Sequence, residues 1–194
     1  LGLVIFTLVV LKRESLSMGI TLVERLCMKR LPWKEWLLAI AVLVGVVLIV
    51  MLVQGLMPGW MQLTGFEVPE YMPFFLNPSI NASTAEMSVI SPGLPLTGRY
   101  ELLPLLAVAL FLNIVTEELY FRAWMMPKMA RFGAWSWVLN GVLFAFYHTF
   151  QLWLLPILLA GSLGFAFLFY RIRSVWPPFV GHFIVNFLLS LVGI

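Results

Sequence analysis

Two adjacent carboxylates, Glu117 and Glu118, interrupt a segment dominated by apolar side chains. Arg122 follows them, and Asn113 precedes Glu117 by one helical turn. The chain has 2 histidines, His148 and His182, each inside another apolar segment, and Asn186 lies four residues after His182. A carboxylate with an imidazole can activate water, while an imidazole N–H and an amide can hold a developing oxyanion. On a helix the two glutamates diverge by about 100°. Glu118 and Arg122, at i and i+4, share a face and can pair. Glu117 is left with no cation beside it in sequence. A buried carboxylate in that situation is the kind enzymes use as a general base. Glu117 is therefore the candidate base and Glu118 the structural partner of Arg122. Asn113 can support Glu117 or simply pack there.

Blander roles remain open on residue types alone. The two glutamates and Arg122 could mark the hydrated end of a helix, with long side chains reaching back to water. A lone histidine in an apolar helix often only bonds to a neighbouring helix. Against the first alternative, the segment stays apolar through Met126, and Pro127 gives a later stopping signal. Against the second, His182 and Asn186 share a helix face.

The elements that must carry these groups are written in the composition. Of 194 residues, 62% are hydrophobic and 11% charged. Soluble domains carry about 25% charged residues, so the expected solvent is a lipid bilayer. All acidic residues are Glu, and Cys27 is the sole cysteine, which excludes an intrachain disulfide and a cysteine metal cluster. A net charge of +3 could suggest nucleic acid. The Lys and Arg sit at the ends of apolar runs, however, where they mark membrane edges rather than a nucleic-acid surface.

Leu1–Leu11 is half a span, since a crossing helix needs about 20 residues. No signal peptide with a small-residue cleavage site is evident. Trp36–Met57 is the clearest span, with Trp33 and Trp60 as interface anchors. Pro58–Arg99 is rich in Pro and Gly and predicts a long loop. Its aromatics Tyr71, Phe74 and Phe75 could lie on the membrane surface, and the sequon Asn81-Ala82-Ser83 is a chance pattern. Leu103–Met129 holds the acidic pair. From Phe132 to Tyr170 there is no Asp, Glu, Lys or Arg, which fits two spans joined by a turn near Thr149–Gln151. Val175–Ile194 is the last apolar segment. The expectation is an all-α, polytopic transmembrane helix bundle: about five full spans plus a partial N-terminal segment. Threading the chain so places every Lys and Arg except Arg99 toward one face, which the positive-inside rule makes cytoplasmic. Residues 1–100 would supply N-terminal membrane segments and a Pro-rich extracytoplasmic loop.

Charges in a span cost at least about 2.5 kcal/mol each and so tend to face a cavity or one another. With a helix ending near Met129, Glu117 lies roughly 18 Å deep. With the next helix starting near Ala134, His148 lies roughly 21 Å deep, a matching level. His182 follows Pro177-Pro178 too closely for a regular helix to carry it as far. An extended dip through Ser174–Gly181, at roughly 3 Å per residue, would reach deeper.

Glu-Glu-x-x-x-Arg at 117–122, Phe-x-x-x-His at 144–148 and His-x-x-x-Asn at 182–186 together resemble the CaaX protease and bacteriocin-processing (CPBP, or Abi) family of intramembrane glutamic endopeptidases. The resemblance covers residues 101–194, which would then be the catalytic helix core. It implies that Glu117 and His148 activate the hydrolytic water and that His182 and Asn186 bind the oxyanion. Glu118 and Arg122 match the other two positions of the first motif. It further implies no cofactor and no metal. The implied partners are a peptide or membrane-anchored protein substrate and the lipid bilayer, with no nucleic acid. The expected location is the plasma membrane of a prokaryotic cell.

Two other classes compete. A zinc hydrolase could use Glu117, His148 and His182 as ligands, although no His-Glu-x-x-His motif is present. A non-catalytic proton-coupled carrier, bacteriocin-immunity protein or scaffold could also place Glu and His in the membrane.

Overall fold

The computed structural model describes residues 2–69, 72 and 100–191. Tyr71, Phe74, Phe75, the Asn81 sequon and Arg99 lie outside the described residues. The described chain is all-α.

Helix α1 (Gly2–Met18) runs well beyond the apolar stretch that predicted it. Gly19 ends it with a positive φ of 65°. The short α2 (Leu22–Arg25) starts at a capping box: the Thr21 backbone N–H donates to Glu24 Oε2 at 2.7 Å, and the Glu24 N–H donates to Thr21 Oγ1 at 3.2 Å. Helix α3 (Trp33–Gln54) has 22 residues and buries only Ala39. It is apolar on all sides and meets the bundle along one stripe, where Ala39 packs with Leu168 and Ile172. Its other apolar side chains, Val44, Leu48 and Leu52 among them, are exposed.

The loop expected from Pro58 begins instead as a helix, α4 (Met57–Thr64). Pro58 stands in its first turn, where a missing N–H leaves no bond unmade. Gly65, at φ 69°, closes it. Trp60 turns inward here: its indole donates to the Leu152 carbonyl at 3.1 Å.

Helix α5 (Leu103–Glu118) continues into a π-helical turn, Leu119–Met125, and then the short α6 (Met126–Lys128). Pro127 does not stop the helix, as its position suggested, but widens it. Proline offers no N–H to the carbonyl four residues back, that of Ala123, and its ring crowds that oxygen. Bonding five residues apart relieves the conflict; the Met126 N–H accordingly donates to the Phe121 carbonyl.

A 3₁₀ segment, Met129–Trp135, reverses the chain at Gly133, whose φ of 56° and ψ of −130° suit glycine alone. Helices α7 (Ser136–Tyr147) and α8 (Leu155–Ile172) then form the most extensive helix pair of the molecule. They approach closely at Gly141, where a Cβ would come within 2.9 Å of Leu163 Cα. The turn between them runs through Thr149–Leu154, with a non-helical Gln151, as the expected turn near Thr149–Gln151 required.

Helix α9 (Trp176–Leu191) packs on α5 and α8. It overturns the extended dip: Trp176–Gly181 is helical. Pro177 and Pro178 occupy the first turn, the one place in a helix that tolerates them. Only Arg173, Ser174 and Val175 are left outside helix before it.

Two helical stretches are long and apolar enough to cross a membrane, Trp33–Gln54 and Thr149–Ile172. That is fewer than the five spans expected: α7 has 12 residues and α9 has 16, short of the usual crossing length.

Candidate active site

The last turn of α5 carries Glu117 and Glu118 inward, and both are buried. Asn113, one turn earlier, donates from Nδ2 to Glu117 Oε1 at 3.2 Å. Across from it, α7 ends at Tyr147 and delivers His148 as its C-terminal cap. His148 Nδ1 lies 3.0 Å from the Phe144 carbonyl, so the N–H on that nitrogen donates and Nε2 is turned toward the glutamate. Nε2 stands 3.8 Å from Glu117 Oε1. The depth match read from the sequence brings these two groups together.

His182 reaches the same carboxylate from α9, with Nε2 3.7 Å from Glu117 Oε2. Its other ring nitrogen, Nδ1, donates to Glu118 Oε1 at 3.0 Å. The imidazole thus bridges both glutamates. Sequence spacing assigned Glu118 to Arg122 alone, and that pair is present, with Arg122 Nε 3.3 Å from Glu118 Oε2. Glu118 serves two partners because its oxygens point to different helices. Asn186 lies one turn beyond His182 on α9 and is half-buried.

Aromatic side chains wall the site. Phe144 is the hub: Arg122 lies over its ring at 4.4 Å, and its centroid is 5.0 Å from that of His148 and 5.8 Å from that of His182. Phe165 from α8 stacks on His182 at 5.0 Å. These rings pack against the guanidinium and both imidazoles. Among the described residues, Glu117 Oε2, Glu118 Oε2 and the three guanidinium nitrogens of Arg122 are buried without a hydrogen-bond partner. Among those residues, no three His, Cys, Asp or Glu groups are arranged to hold a metal ion.

Residues 99–188 match the family model described as Type II CAAX prenyl endopeptidase Rce1-like. Over this segment the chain is similar to the CAAX protease/Abi family. No curated protein and no solved structure matches it. The family comprises glutamic intramembrane proteases, and the buried Glu117–His148 and Glu117–His182 pairs are consistent with Glu/His-based proteolysis. The three motifs of the CAAX protease segment converge through three helices, α5, α7 and α9.

Two residues that touch this constellation escaped the sequence. Asn140, fully buried on α7, donates from Nδ2 to the Phe121 carbonyl at 2.8 Å. Its signal was a lone amide in the uncharged run between Phe132 and Tyr170. Arg25 donates from a terminal guanidinium nitrogen to the Ala123 carbonyl at 2.7 Å, across 98 residues of chain. Nothing in the sequence separates it from the other basic residues beside α3.

Proposed function

We propose that the chain is an intramembrane endopeptidase in which Glu117 is the general base. One observation carries this: a buried carboxylate stands 3.8 and 3.7 Å from the Nε2 atoms of the two histidines of the chain. A water between Glu117 and His148 gives its proton to the carboxylate while its oxygen attacks the peptide carbonyl. The carbonyl π electrons move to oxygen, and the resulting oxyanion is received by donors on α9: the Asn186 amide and the Nε2–H of His182, which acts as an imidazolium because its Nδ1–H is held by Glu118. Glu117 then passes the proton to the departing amine as the C–N bond breaks. Glu118 orients His182 through Nδ1, and Arg122 balances the charge of Glu118. Such preorganised donors act most strongly where water is excluded.

The substrate is a peptide or membrane-anchored protein. The family description names prenyl endopeptidases, so a lipidated C-terminal peptide is the first to try. In this reading the bundle lies in the bilayer: α3, α5 with its extension, α7, α8 and α9 cross it, with α1 as a further N-terminal element. The basic ends face the cytoplasm. Residues 1–100 form the N-terminal membrane part and 101–194 the catalytic core.

Proteomic comparison of membranes carrying wild type and Glu117→Gln tests the function. The expected result is a cleaved membrane protein whose fragment disappears in both Glu117→Gln and His148→Ala, with the rate lowered at least about 100-fold. Fragments that persist unchanged in both variants would overturn the assignment.

A further inference from the structure

The π-helical turn is held from two sides by side chains that the catalytic motifs do not contain. From α7, Asn140 donates to the Phe121 carbonyl, which also accepts the Met126 amide. From α2, Arg25 donates to the Ala123 carbonyl. That carbonyl is the one Pro127 deprives of its α-helical donor. Arg25 is in turn fixed by Glu14 of α1, which accepts from its Nε at 2.9 Å and from a terminal nitrogen. Leu11 and Leu26 pack in one core with Leu119, Ala123 and Met126, so the N-terminal helices close over this turn.

We propose that Arg25 and Asn140 are positioning residues, which hold the π-helical turn open and thereby keep the Arg122 guanidinium over the Phe144 ring while it pairs with Glu118. A π turn accommodates one residue more than an α turn, so reverting it would rotate the helix on its C-terminal side by about 100° relative to α5. Glu118 stands immediately before the turn, and Arg122 lies within it. Reversion would leave Arg122 four residues from Glu118 but swing its guanidinium off the Phe144 ring, and the carboxylate paired with it would be displaced while it orients His182. Residues 1–31, outside the segment that matches the family model, thus contribute one jaw of a clamp on the catalytic helix.

The inference rests on the proteolytic reading of the site, so the experiment uses two readouts. The full-length chain, ¹⁵N-labelled at histidine and held in lipid nanodiscs, gives imidazole signals from His148 and His182 alone, assigned with His182→Gln. A quenched-fluorescent farnesylated CAAX peptide reports hydrolysis. Arg25→Met and Asn140→Leu, which lose their donors, should move the His182 Nδ1 signal away from its carboxylate-bonded position. They should lower kcat about tenfold or more, with KM within about twofold. Arg25→Lys, which keeps a donor, should restore both. Glu14→Gln leaves the Arg25 bond to Ala123 in place and should shift the signals less than Arg25→Met does.

Unchanged His182 signals in folded Arg25→Met and Asn140→Leu would overturn the clamp, as would a Glu14→Gln effect equal to that of Arg25→Met. If Asn140→Leu does not fold, the Arg25→Met and Arg25→Lys pair decides. If the wild type leaves the peptide intact, the substrate assignment fails, while the imidazole signals still decide the clamp.

Discussion

At the rim of the molecule, Glu14 accepts from Arg25 Nε at 2.9 Å and from Lys128 Nζ at 2.6 Å. In the interior, Glu118 and Arg122 approach only to 3.3 Å, and Glu117 stands 3.7 and 3.8 Å from its imidazoles. Both clusters join carboxylates to cations from separate elements. The rim cluster is saturated with bonds and partly wetted, with the Lys128 side chain 45% exposed. The interior cluster is buried and retains unmade bonds on Glu117, Glu118 and Arg122. Buried polar atoms without partners are rare and need a reason. A cluster made for stability would have closed those gaps. In the proposed reading this one keeps charges at distances that leave room for a reacting molecule, and the rim cluster holds the helix that bears them.

The sharpest test of that contrast is Arg122→Met. It strips the fully buried Glu118 of its cation, and breaking one side of a buried pair costs about 3–5 kcal/mol. Thermal unfolding in detergent should therefore show a large drop. A change no greater than a rim substitution produces would erase the distinction between the clusters.

Gly141→Ala probes the scaffold instead of the charges. Its new methyl meets Leu163 backbone, which has little room to yield, so α7 must shift against α8. Overpacking of this kind costs about 1–3 kcal/mol. Because α7 ends in His148, hydrolysis should fall further than stability alone explains. The test is activity measured well below the melting temperature.

The smallest effect belongs to the rim. Partial burial pushes the Glu14 carboxyl up, but hydrogen bonds from Lys128 and Arg25 outweigh it and hold the group below its ordinary range. A carboxylate lowered in the folded state stabilises fully above the unfolded value and loses that contribution as pH falls through the folded one. Melting temperature should therefore decline below the ordinary carboxylate range, and Glu14→Gln should flatten that decline. An exposed network of this kind contributes about 1 kcal/mol or less.

The motifs of the candidate site were legible because each is local. Glu117 with Glu118 and Arg122, Phe144 with His148, and His182 with Asn186 each fit within two helical turns, and helix arithmetic alone matched the depth of Glu117 to that of His148. The sequence misled where one residue permits two backbone solutions. Pro177-Pro178 suggested extended chain but occupies the first turn of α9, and Pro127 suggested a stop but produced a wider turn. Pro58 likewise began a helix where a loop was expected. Illegible altogether were pairings set by tertiary approach. Glu118 with His182 joins α5 to α9, and Arg25 with Ala123 spans 98 residues. No periodicity encodes such a distance.

Helix α3 has a consequence for biogenesis. Its 22 residues are apolar throughout most of their length, and it needs no partner to be at home in lipid. The helix bearing Glu117, Glu118 and Arg122 is different: alone in hydrocarbon its charges would be heavily penalised. In the two-stage view of membrane assembly, helices insert first and pack afterwards. Chain order delivers α3 first, with Val46 and Leu43 presented to the notches at Gly164 and Gly181 that arrive later on α8 and α9. The nascent chain would thus carry its own membrane anchorage before the acidic pair is translated, and the reactive centre would form only once the last helix is docked.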